Sequence, residues 1–117
     1  MVSRDSLPLR IITRLAERLP DFDFIEFDPN ENLEKEGREL NIIDTVEGAK
    51  EVVLITDIDR IQTQKVYSMH DFDLGHSLKI LDKLGYIDSV RIFGVPMKIS
   101  QKDALDQLVA LISATLP

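Results

Sequence analysis

The chain has 117 residues, enough for one domain, and its 44% hydrophobic and 30% charged residues with no low-complexity tract exclude a disordered chain. A formal net charge of −7 repels phosphate backbones and anionic membranes, so nucleic acid and membrane surfaces are not expected partners. The absence of cysteine excludes disulfides, a thiol nucleophile and thiolate-bound metal, and it fits a reducing cytosol.

The first residues carry no apolar run of signal-peptide character, and no stretch approaches the ~20 apolar residues of a membrane helix. Residues 6–19 read as a helix. Ile11, Ile12, Leu15, Ala16 and Leu19 fall on one face at three-to-four spacing. Ser6 suits the N-cap, Pro8 the first turn, and Pro20 the exit. Residues 23–28 suggest a short strand, followed by a polar, acidic loop over 29–37. Leu40 to Ile43 is an apolar run that stops at Asp44, as expected of a buried strand with an acid at its end. Residues 51–58 carry a second apolar strand through Val52, Val53, Leu54 and Ile55, and residues 65–67 a brief extended segment.

Leu74, Leu78, Leu81 and Leu84 predict a helix over 74–84, ended by Gly85. Residues 89–95 read as a strand closed by Gly94 and Pro96. Residues 101–116 read as a helix with Ala104, Leu105, Leu108, Leu111 and Ile112 inward. Ser100 caps it, and Asp103 favours the helix dipole. Strands and helices alternate, so the expected fold is a three-layer α/β/α sandwich with a mostly parallel twisted sheet. The first helix begins almost at the first residue, so the opening strand of that sheet is expected to be missing.

Ligands of open α/β sheets collect at the carboxyl ends of strands. Asp44 reads either as a turn former or as a site residue there. His70 lies in a later connection, and a lone loop histidine is more often hydrogen-bonded surface than ligand. His76 reads as a solvated helix residue, and Asp71 and Asp73 as caps of the helix near Leu74. His70 and Asp44 with a third acid could form a mixed imidazole and carboxylate site suited to nickel, zinc or manganese. Asp57 and Asp59 after a strand, with Lys98 after a later one, invite comparison with phosphoryl-accepting receiver domains. The early acidic pair those domains need is lacking. No G-x-S-x-G elbow, H-E-x-x-H helix, P-loop or dinucleotide glycine fingerprint occurs.

Three segments carry a family resemblance: Asn-Ile-Ile-Asp-Thr-Val-Glu-Gly at 41–48, Val-Tyr-Ser-Met-His-Asp-Phe-Asp-Leu at 66–74, and Val-Arg-Ile-Phe-Gly-Val-Pro at 90–96. In order and spacing they resemble the nickel–iron hydrogenase maturation proteases. Arg4 to Pro8 resembles the entry to that family's first helix, and the terminal helix its last, so the resemblance covers residues 1–117 as one domain.

The resemblance implies an endopeptidase, located in the cytoplasm, that removes the C-terminal peptide of a hydrogenase large-subunit precursor after nickel insertion. The nickel is carried by that precursor. The implied catalytic and metal-engaging residues are Asp44 and His70. The family's remaining carboxylate is the second of two adjacent acids, and here the pair is Asp5 and Ser6. Asp5 is therefore the candidate third ligand. Ser6 opens the alternative of a catalytically impaired relative that binds the precursor as a maturation chaperone.

Overall fold

The computed structural model describes residues 2–4, 8–27, 37–56, 68–69 and 72–116. Six strands form one sheet: β1 (Val2–Arg4), β2 (Ile25–Phe27), β3 (Glu39–Glu47), β4 (Val53–Ile55), β5 (Ser68–Met69) and β6 (Ser89–Pro96). Among the described residues three helices accompany them: α1 (Leu9–Arg18), α2 (Phe72–Lys83) and α3 (Gln101–Thr115). The strand order is β2-β1-β3-β6-β4, with β5 paired to β3 off this path.

Two of the fold expectations need correction. The sheet is mixed rather than mostly parallel. Pairs β1–β2, β1–β3 and β3–β6 are parallel, whereas β4–β6 and β3–β5 are antiparallel. Chain length explains β4. Residues 48–52 between β3 and β4 are too few for the crossover of a dozen or more residues that a parallel return needs. The opening strand is also present, because β1 lies between β2 and β3. Its three residues, Val-Ser-Arg, show no hydrophobic pattern. Its strand character comes from pairing on both edges, with Val2 beside Ile25 and Ile42, rather than from local propensity.

Period-two alternation divides the sheet's side chains between two apolar layers. Leu40, Ile42 and Val46 of β3 and Val90 and Ile92 of β6 pack with Leu78 of α2. Ile43 of β3 and Phe93 and Val95 of β6 pack with Ile11 and Leu15 of α1 and with Ala104, Leu105, Leu108 and Ile112 of α3. The helices thus cover opposite faces, α2 on one and α1 with α3 on the other.

Helix ends follow local chemistry. Pro8, not Ser6, occupies the N-cap position of α1, and its carbonyl accepts from the amide of Ile11 at 3.0 Å. Ala16 points to solvent, so the buried stripe of α1 is Ile11 and Leu15, flanked by half-buried Ile12 and Leu19. Helix α2 ends where Gly85 adopts φ 77°. The Tyr86 amide then donates to the Leu81 carbonyl at 3.0 Å and the Gly85 amide to Asp82 at 3.1 Å, the paired bonds of a Schellman ending. Leu84 lies past this end and is 63% exposed. Ser100 caps α3 as expected, its hydroxyl accepting from the Asp103 amide at 3.1 Å. Among the described residues no helix is long and apolar enough to cross a membrane.

Candidate functional site

Strand β3 does not stop at Asp44. It runs to Glu47, and β6 pairs with it from Glu39↔Ser89 to Val46↔Pro96. Gly94 accordingly lies inside β6, whereas Pro96 is its last residue and closes it as expected. The acid sits at an apolar-face position within the strand, between Ile42 and Val46 on the side of α2. It is fully buried, with 0% exposure. Burying a carboxylate is costly unless hydrogen bonds or a cation compensate. The Thr45 amide donates to Asp44 Oδ1 at 2.8 Å and supplies one such bond.

Two strands share the edge of β3 opposite β6. β1 pairs there with Ile42 and Ile43. β5 pairs with Val46 and Glu47. That edge must be the same one, because Val46 is already paired to Pro96 on its other side. Asp44 and Thr45 fall in the gap between the two strands.

Direction then matters. β1 is parallel to β3, so its chain leaves Arg4 toward the gap. β5 is antiparallel, so its chain leaves Met69 toward the same gap from the other end. In sequence Asp5 follows Arg4 and His70 follows Met69. Asp5 and His70 lie outside the described residues, as do Ser6, Asp57, Asp59 and Asp71. Of the predicted site residues only Asp44 is described. Among the described residues no group of three or more histidine, aspartate or glutamate side chains could hold a metal ion.

The gap coincides with the sheet's switch point. The chain passes from β1 outward to β2, then crosses back to β3 on the other side of β1. Such a reversal splays the connections apart and opens a crevice at the carboxyl ends of the two strands. Asp44 lies in the carboxyl-terminal half of β3, the end at which that rule expects a ligand.

Other polar features of the sheet stand at its opposite end or on the surface. Arg38, just before β3, donates from Nε and Nη2 to both carboxylate oxygens of Asp88 at 2.9 Å, and from Nη2 to the Gly85 carbonyl at 2.8 Å. The Arg38 carbonyl accepts from the amide of Asp88 at 2.8 Å. This clamp joins the amino ends of β3 and β6 and fixes their register. Its hydrogen bonds raise the Arg38 pKa and hold the Asp88 carboxyl below the ordinary carboxylate range. His76 is exposed on α2, as a solvated residue would be, and Lys98 is exposed in the turn after β6.

Sequence reasoning missed β1, the continuation of β3 and the clamp. The clamp had a faint signal in an arginine preceding one strand and an aspartate preceding another, but two such residues are common. No match was found among protein-family models, curated proteins or solved structures. The functional reading rests on the resemblance carried by the segments at 41–48, 66–74 and 90–96 and on the chain's own residues.

Proposed function

We propose that the protein is an endopeptidase that removes the C-terminal peptide of a nickel–iron hydrogenase large-subunit precursor after nickel insertion. The observation that supports this reading is the arrangement at the switch point. A buried carboxylate, Asp44, lies on β3 in the gap between β1 and β5, and Asp5 and His70 are the residues that follow those two strands in sequence. A carboxylate, an imidazole and a second carboxylate form a ligand set suited to nickel.

The nickel arrives with the precursor. Asp44 and His70 engage it, Asp5 is the candidate third ligand, and a metal so held positions the substrate and can polarise the scissile carbonyl. A precursor without nickel lacks the group these residues recognise, so engagement doubles as a check that loading is complete. On this reading the protein works in the cytoplasm, and a cysteine-free chain suits a reducing compartment.

Ser6, where the resemblance leads one to expect an acid, motivates a second reading. In it the protein binds the precursor as a maturation chaperone without cleaving it. Intact-mass measurement separates the two. Incubation with the nickel-loaded precursor shortens the precursor by one discrete C-terminal peptide if the protein is the endopeptidase. A stable complex with a precursor of unchanged mass supports the chaperone instead. Neither complex nor cleavage, with a precursor that another processing enzyme cuts, removes both.

A further inference from the structure

Helices α1 and α3 lie side by side over the face of the sheet away from Asp44. Between them runs a groove of about 830 Å³, and a smaller hollow of about 160 Å³ adjoins it. Arg10, Arg14, Lys102 and Leu105 line both, and Arg18 with two acids, Glu17 and Asp106, lines the larger. In a chain of net charge −7 this is a local concentration of cations.

The cations are unevenly matched. Arg18, further along α1, pairs with Asp106 of α3 at 2.9 Å. Among the described residues Arg10, Arg14 and Lys102 have no ion-pair partner. Arg10, Arg14 and Arg18 follow one another at four-residue spacing, which stacks like charges on one helix face and opposes helix formation. Arg10 and Lys102 also stand in the first turns of their helices, where the macrodipole is positive and a cation is disfavoured. Two positive helix ends and three unmatched cations therefore share one mouth.

We propose that this groove docks an acidic, extended segment of a partner protein. Spacing favours such an occupant. Arginines four residues apart on a helix rise about 6 Å, close to the roughly 6.6 Å between alternate side chains of an extended strand. Acids at every second position can therefore meet successive arginines. The lining is also partly apolar. Leu9 is 74% exposed at the rim, and Leu105 closes the floor. That suits a peptide with apolar residues between its acids. A nucleic-acid backbone has no aliphatic side chains to set against Leu9 and Leu105, so the lining favours the peptide. The proposal stands apart from the Asp44 gap and does not depend on the peptidase reading.

Fluorescence anisotropy on the full chain tests it, with a short labelled peptide that alternates glutamate with leucine or alanine. The peptide binds saturably, and binding weakens at least about ten-fold in the Arg10→Glu, Arg14→Glu double variant. Raising the salt from about 0.05 M to about 0.5 M weakens it as well. Lys102→Glu, on the opposite wall, gives a second reading should the double variant fold poorly. An exposed cation outside the groove, altered in Lys83→Glu, leaves affinity unchanged. Binding that is absent, or insensitive to the groove variants, overturns the proposal. So does tighter binding of a single-stranded oligonucleotide, or a dimer seen in sedimentation that the groove variants dissolve, since either assigns the groove to a different occupant.

Discussion

Gly94 lies directly across from Asp44 in the β3–β6 register, and packing explains why it has no side chain. A Cβ there would stand 2.9 Å from Val46 Cγ1 and 3.2 Å from Val53 Cγ2, inside the ~3.5–4.0 Å at which carbon atoms pack best. Val46 is fully buried on a strand paired along both edges, so it has little room to yield. Gly94→Ala is expected to lower stability by about 1–3 kcal/mol, read from urea unfolding. An unchanged midpoint would show that the valines move freely. The Arg38–Asp88 clamp makes a pH prediction. The hydrogen bond from Arg38 depresses the Asp88 pKa in the folded protein, opposed by desolvation and assisted, to a lesser extent, by the arginine's charge. A depressed carboxylate stabilises the fold above its unfolded pKa of about 3.9 and loses that contribution as pH falls through the folded value. Wild type is therefore expected to exceed Asp88→Asn in stability near neutral pH, with the gap closing below about pH 4. A gap constant across this range in unfolding titrations would remove the clamp from the account.

Among the elements, α1 carries a conflict between stability and charge. Its buried stripe is only Ile11 and Leu15, and its outer face sets Arg14 between Arg10 and Arg18. Arg14→Glu replaces two repulsive four-residue pairs with attractive ones, and turns one favourable three-residue pair, with Glu17, repulsive. At roughly 0.2–0.5 kcal/mol per pair of either sign, it is expected to stabilise the fold by up to about 1 kcal/mol, measured as a rise in thermal midpoint. A fall would mean that Arg14 makes a stabilising contact that the stripe does not reveal. Legibility also varied by element. Helix α3 was read almost to its ends, because Ser100, Asp103 and a full apolar stripe agree with one another. Helix α2 was readable from Leu78 and Gly85. Strand β1 was invisible, because three residues cannot display a period and its pairing partners are distant in sequence. The end of β3 was misplaced because a buried acid resembles a strand stop. Only the β6 register shows that Asp44 lies within the ladder.

For the whole molecule, layers were easier to anticipate than strand directions. Apolar periodicity implied helices on a sheet, and the two separate cores with α2 on one face and α1 and α3 on the other follow from that. Direction depends on connection length and on edges left open by other strands, which periodicity does not encode. The antiparallel β5 is the consequential case. It runs along β3 from Glu47 to Val46, against the direction of β1 on the same edge. Asp44 was legible as an acid after an apolar run. Its position between β1 and β5 is a property of the sheet. The central claim is that Asp44 and His70 act at one centre on the nickel-loaded precursor. The most direct test compares processing rates of Asp44→Asn, His70→Ala and the double variant by intact mass, with unfolding curves confirming that each variant folds. Each single variant is expected to lose about 100-fold or more, and the double variant little beyond that, because residues that form one centre are not additive. Single losses that multiply in the double variant, or a His70→Ala protein that still processes at the wild-type rate, would contradict the account.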